Sequence, residues 1–363
     1  MNTPDKDLPD HLLHHIILPR LSFKCLNRLK CISKNMYELI STDAKFAADQ
    51  SRSADTSSSG FVYMTHSGLA FFPDPALIGV PDPSLNFLNP TSLTKIKLVT
   101  STNGLLLLYG EFSGMESLCV CNPAIKEMVF VPFIDRGKKF SCEMGLAYDP
   151  CELPDRYTIV DPLADHHENG ILYQFDVFLS ETGKWTRSSQ TVNIRTICTP
   201  IKAVCAKGVI YWLCGKFLLW FDAKRDLAGS LILPVVEATT NVYSCDVGVY
   251  AGEITFFCVW IRKINVWRLT GGSRWDRLHA VRLTGMVDGF SFICPVGFDG
   301  RFVYTVVPLK DKDNTKRLLG WEAEMGRVEE KGLVTLNEDW RGNGIFKYTN
   351  SMARVPQILN GTS

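Results

Sequence analysis

From Phe61 onward one element keeps returning: an apolar strand runs into a polar turn, and a second strand leads away from it. It is present at 118–123, 175–185, 218–225, 264–271 and 318–326. Its apolar anchors Val120, Phe178, Phe221, Trp267 and Trp321 are separated by 58, 43, 46 and 54 residues. A glycine turn opening an apolar strand precedes most copies, at Asn103-Gly104, Lys207-Gly208, Ala251-Gly252 and Asp299-Gly300. A unit of about fifty residues with several short strands cannot bury both faces alone, so its copies must stack side by side. The pattern predicts a β-propeller of about six blades. Five units are legible, and a sixth would combine 61–72 with 344–354, so that the first and last strands close the ring and leave no open edge. A β-sandwich is the alternative, because many short strands at regular spacing suit it as well.

The residues before Phe61 have a different texture. Across 8–50 apolar residues recur at helical spacing: Leu12, Leu13, Ile16 and Ile17 share a face, Pro19 interrupts, and Leu21, Leu26, Leu29, Ile32, Met36 and Ile40 follow. Ser22 is placed to cap a second helix. The run from Asp49 to Gly60 is polar and small, as in a linker. The chain therefore reads as an α+β multidomain protein: a helical unit at 1–50, a linker at 51–60, an all-β domain at 61–356 and a tail at 357–363.

Composition narrows the function. Hydrophobic residues make up 46% of the chain, enough for a buried core, and 39 basic residues balance 38 acidic ones. That balance argues against a nucleic-acid or membrane-surface binder. Twelve cysteines include no Cys-x-x-Cys pair and sit mostly among apolar neighbours, which reads as buried thiols rather than a disulfide framework. The polar N-terminus lacks the apolar core of a signal peptide, and no stretch reaches the length of a membrane span. A cytoplasmic or nuclear protein is expected.

No nucleophile elbow, phosphate loop or dinucleotide fingerprint occurs. His11, His14 and His15 fall near one helix face, but no nearby Cys or acidic group completes a metal site. Most of the eight tryptophans sit inside strand patterns and read as blade core. No cofactor, no metal and no catalytic residue are expected.

The N-terminal segment resembles the F-box. The residues that carry the resemblance are Leu8-Pro9, Leu12, Leu13, Ile16, Ile17, Leu18, Arg20-x-Leu21, Leu26, Leu29 and Cys31-Ile32-Ser33-Lys34. Ser22 stands where that motif has proline, and Met36 where it has tryptophan. The β region is similar to the F-box-associated domain of plant F-box proteins at 102–108, 120–127, 145–150, 178–185, 208–212 and 217–222. The resemblance implies a non-catalytic receptor subunit of a ubiquitin ligase. Its helices would bind a SKP1-type adaptor, and through it cullin and RING subunits, by Leu8, Pro9, Leu12, Leu13, Ile16, Ile17, Leu18, Leu21, Leu26, Leu29 and Ile32. Its β domain would bind a target protein whose identity the residues do not name. The alternative is a SKP1-associated or lectin-like binding protein acting outside ubiquitin transfer. A helical unit this small keeps an apolar face for a partner to complete.

Overall fold

The computed structural model describes residues 9–54, 60–66, 68–73, 87, 93–112, 115–132, 143–168, 170–195, 199–234, 242–260, 263–283, 293–309, 312–336 and 344–358. Leu8 and Trp340 lie outside them. Helices come first: α1 (Asp10–Leu12), a π-helical turn (Leu13–Ile17), a 3-10 turn (Leu18–Arg20), α2 (Phe23–Leu29), α3 (Lys34–Thr42) and α4 (Ala44–Ala54). Ser22 caps α2 by accepting the Cys25 N–H at 3.3 Å, and Ser33 caps α3 through the Met36 N–H at 3.2 Å. Asp43 does the same for α4, accepting from Phe46 at 2.7 Å. None of these helices is long and apolar enough to cross a membrane.

The rest is strand, in six sheets. Blade 1 begins with β1 (Gly60–Thr65) and β2 (Gly68–Phe72). Blade 2 holds β3 (Leu93–Thr102), β4 (Leu105–Phe112), β5 (Met115–Asn122) and β6 (Glu127–Val131). Blade 3 holds β7 (Gly145–Ala147), β8 (Thr158–His167), β9 (Gly170–Leu179) and β10 (Lys184–Ile194). Blade 4 holds β11 (Ala203–Ala206), β12 (Val209–Cys214), β13 (Phe217–Asp222) and β14 (Leu227–Ile232). Blade 5 holds β15 (Val242–Tyr250), β16 (Glu253–Trp260), β17 (Lys263–Thr270) and β18 (Arg274–Arg282). Blade 6 holds β19 (Cys294–Phe298), β20 (Phe302–Leu309), β21 (Lys312–Glu322) and β22 (Val328–Thr335). Finally β23 (Ile345–Tyr348) pairs antiparallel with β1, Gly60 opposite Tyr348, and so closes the ring in blade 1. The architecture is a six-bladed propeller, not a sandwich, and the closure joins the two segments that the sequence pattern assigns to a sixth blade.

Local chemistry explains the repeat. In blades 2, 4 and 5 the first two strands are joined by two residues, Asn103-Gly104, Lys207-Gly208 and Ala251-Gly252, each with positive φ at both positions. Such turns match the twist of the strands they join. Gly104, at φ +85°, is doubly required, because a Cβ there would lie 2.3 Å from Ser351 Oγ. The five apolar anchors all fall on third strands, and Val120, Phe178, Phe221 and Trp321 are fully buried. Where third strands end, Asn122 accepts the Ala124 N–H at 3.0 Å, and Asp222 accepts those of Lys224 and Arg225 at 3.1 Å. These side chains replace backbone partners in the turn.

The core is a ring of seams. Buried clusters fill the interfaces of blades 1–2 (Val62, Leu106, Cys121, Tyr348), 2–3 (Val120, Tyr157, Phe178) and 3–4 (Phe175, Trp212, Phe221). Others fill 4–5 (Leu218, Val247, Phe256), 5–6 (Phe257, Val303, Trp321) and 6–1 (Phe61, Val306, Ile345). Cys119 and Cys121 point together into the first of these seams. Every described cysteine is a free thiol; five are buried, while Cys25, Cys31 and Cys151 are exposed. The tryptophans divide more finely than the sequence implies. Trp212 and Trp321 are fully buried, whereas Trp260 is 37% exposed. Trp185 and Trp275 on fourth strands donate to Pro132 O and Ile232 O, just beyond or at the end of the preceding blade's fourth strand, both at 3.0 Å. The tie occurs at seams 2–3 and 4–5.

Candidate functional site

The turns that join first to second strands and third to fourth strands lie at one end of the propeller, and a groove of about 690 Å³ crosses that end over blades 3, 4 and 5. Blade 3 shapes it, since residues 148–157 replace the two-residue turn found in blades 2, 4 and 5 and raise a wall. The groove floor is apolar at Tyr211, Ile254 and Leu269. Burial, ahead of the charges of Cys205, Glu253 and Asp222, pushes the Tyr211 hydroxyl up to about 12, so it stays a neutral donor across the biological pH range.

The rim is charged and internally paired. Arg156 Nη1 meets Glu181 Oε2 at 2.6 Å, Lys207 Nζ meets Glu253 Oε1 at 2.5 Å, and Arg225 Nη1 meets Asp222 Oδ2 at 2.7 Å. Lys224 pairs with Glu152. The Lys207 and Lys224 pairs join adjacent blades. The exposed pairs of Arg156, Lys207 and Lys224 contribute about 0–1 kcal/mol each, so a partner's charges can replace them at little cost. The arrangement suits recognition of a polypeptide carrying both signs of charge. Among the described residues no cluster of three His, Cys, Asp or Glu side chains could hold a metal.

Beside the groove the central channel opens, lined by first strands of the blades, with a volume of about 240 Å³. Lys202 and Asp246 meet in it at 2.5 Å with side chains 3% and 1% exposed. Lys202 also sits 5.4 Å over the Phe346 ring of the closing strand. Burial pushes the Asp246 carboxyl up, while Lys202 and the Val247 N–H hold it back. A pair so deeply withdrawn from solvent ties blades 4, 5 and 1 together.

The helical region rests on this same end, over blade 2. Its cluster joins Leu18, Phe23, Leu26, Ile40, Phe46 and Ala47 to Ala124 of the β5–β6 turn and Met352 of the C-terminal segment. Among the candidate adaptor-binding residues, Leu18 and Leu26 are buried in this cluster, and Leu13, Leu21 and Leu29 pack against it. Leu12 is half-buried and Pro9 is exposed. Ile16 is 43% exposed, Ile17 41% and Ile32 69%, and Tyr37 joins them at 55%. Of the histidine trio, His15 is tied to α4, its Nδ1 lying 2.9 Å from Asp49 Oδ2.

Helix α4 runs through Ser51 to Ala54, into the stretch that reads as a linker, and those polar residues are contacts. Gln50 Oε1 accepts the Met352 N–H at 2.7 Å, and Ser51 Oγ accepts from Asn103 at 3.1 Å. Arg52 donates to Pro150 O at 3.3 Å. Arg354 bridges Ser41 O of α3 and the Glu127 carboxylate of β6. Asn122 Nδ2 pins the C-terminal segment through Ser351 O and Ala353 O at 3.0 and 2.8 Å. Periodicity carries no trace of such contacts. The only signal was the polar texture of 49–52 itself.

Comparison with known proteins gives a family. A model described as the F-box associated beta propeller domain matches residues 78–267. No curated protein matches the chain. Among solved structures, a quinonprotein alcohol dehydrogenase-like protein from Bacteroides thetaiotaomicron is 7% identical with a TM-score of 0.42, covering 80% of this chain and 78% of that one. The Aleuria aurantia lectin is 14% identical with a TM-score of 0.38, covering 68% and 80%. The Nup133 β-propeller domain of Vanderwaltozyma polyspora is 10% identical with a TM-score of 0.36, covering 66% and 68%. At these scores the likenesses carry no argument about what the chain binds or does.

Proposed function

Because the chain belongs to the F-box associated β-propeller family, we propose that it is the target-binding receptor of a SKP1–cullin–F-box ubiquitin ligase. The helical region docks on a SKP1-type adaptor, and the propeller presents the target, with the groove over blades 3–5 as the receiving surface. The chain itself catalyses nothing; ubiquitin transfer belongs to the ligase subunits it recruits, and it works where they do, in the cytoplasm or nucleus.

The observation that carries this reading is the uneven covering of the helices. Most of their apolar residues close onto the propeller, yet Ile16, Ile17 and Ile32 stay 41–69% exposed on a unit that is otherwise firmly seated. Exposed aliphatic side chains on a helical turn and in the α2–α3 turn are what a partner's groove would bury. Leu21 and Leu29 are poor probes of this contact, since both pack against the protein's own cluster.

The test is co-purification with a SKP1-type adaptor, comparing the wild type with an Ile16→Asp, Ile32→Asp variant. Both substitutions are at exposed positions and should change stability by no more than about 0.5 kcal/mol. Capture by the wild type and loss in a variant with unchanged circular dichroism is the expected result. A folded wild type that captures no adaptor, or a variant that binds equally well, would sink the assignment.

A further inference from the structure

Between the helical region and blade 2 lies a second cleft, of about 380 Å³, distinct from the groove and the channel. Three cations converge on it from separate parts of the chain: Lys30 at the C-terminal end of α2, Lys126 in the β5–β6 turn and Arg354 in the C-terminal segment. Asn27 and Ser41 add neutral polar groups to its wall. We propose that this cleft is a binding site for a small phosphate-bearing anion, which Lys30, Lys126 and Arg354 hold between the helices and the propeller.

The charge balance of the cleft points this way. The acid on hand is Glu127, and it is doubly engaged: Arg354 pairs with one oxygen, and the Val355 N–H donates to the other at 2.9 Å. Neither Lys30 nor Lys126 pairs with an acid among the described residues. Lys30 is half-buried, and burial first, then the charge of Arg354, holds its ammonium below the usual lysine range. Folding has thus placed Lys30 and Arg354 together in a partly dry cleft, with the exposed Lys126 at its edge, an arrangement an anion would relieve.

The ligand class follows from charge, geometry and size. Three positive charges facing one carboxylate call for more than one negative charge. Arg354, its fork held by Ser41 O and Glu127, supplies a fixed positive charge, while the two lysines supply mobile point charges, a combination suited to phosphoryl oxygens. The cleft admits a small molecule, not a folded partner. A ligand there would also fasten the helices to the propeller, because it binds only when both are in place.

The test uses pyrophosphate as the probe, titrated calorimetrically into the full chain, with sulfate at matched ionic strength as the control. Expected are saturable binding, affinity reduced about tenfold in Lys30→Met and lost in Lys30→Met, Lys126→Met. Both variants should fold without ligand, with melting temperatures no lower than the wild type, since a repulsion has been removed. The helical signal of the wild type should melt later with pyrophosphate present. No saturable heat with folded wild type, equal affinity in the double variant, or an equal response to sulfate would each overturn the proposal.

Discussion

In the propeller, each of the six seams between blades holds its own buried cluster, and every blade is clamped on two sides. The helical region has a single cluster, and two of its eight buried members, Ala124 and Met352, belong to the propeller. One region completes its core by repetition and ring closure. The other borrows a floor and leaves isoleucines in solvent. The difference teaches that the helices do not form a free-standing module on a tether. They are a graft whose stability depends on the turn of blade 2 and on a segment from the far end of the chain.

Several substitutions would break or sharpen that contrast. The largest effect is expected at a seam: Trp212→Ala removes a fully buried ring packed against Phe175, together with a 2.6 Å bond to the Glu143 carbonyl. It should cost about 4 kcal/mol in urea unfolding and lower strand and helix signals together. Leu26→Ala should cost about 3 kcal/mol, but locally. Helical circular dichroism would fall and proteolysis within the helices at 10–54 accelerate while the strand signal unfolds as before. Concerted loss of both signals would refute the view of the helices as a separable graft.

A pH series separates the regions next. Burial, aided by Asp161, pushes the Glu143 carboxyl up to about 7 at seam 3–4. Below the ordinary glutamate range both folded and unfolded chains hold the proton. Between about 4.5 and 7 only the folded chain holds it, so stability falls as pH rises through that window and stays lower above it. With Glu143 partly open to solvent, the loss should be on the order of 1–2 kcal/mol. Glu143→Gln should flatten the profile in the propeller transition and leave the helical one alone. The smallest effect is at the graft's own fastening: Gln50→Ala removes the acceptor of the Met352 N–H and should cost about 1 kcal/mol, seen as earlier helix melting.

Much of the fold was legible because propellers write their period into the chain. Asn103-Gly104, Lys207-Gly208 and Ala251-Gly252 announce two-residue hairpins that demand positive φ, and Val120, Phe221 and Trp321 mark third strands by their burial. The joining of 61–72 to 344–354 followed from the need to satisfy an edge. The site was less legible. Nothing local predicts that Gln50 meets Met352 or that Arg354 bridges Ser41 and Glu127, because these contacts span most of the chain. Helical periodicity marks Leu26 and Ile32 as equally apolar, yet the first is buried and the second exposed, and only the position of blade 2 decides between them. The groove over blades 3–5 arises from a long connection in blade 3, which in sequence is merely a departure from the repeat.

The pairing of β1 with β23 also has a consequence in time. A ribosome makes the helices and the β1–β2 hairpin first, but their innermost strand and the residues beneath α4 come last. At about 5–20 residues per second the wait lasts tens of seconds. Throughout it, a nascent chain displays helices without their seat and a blade without its inner strand. A chain terminated before Met352 never acquires that seat, so a properly set helical surface is reserved for molecules whose synthesis has run through the closing strand.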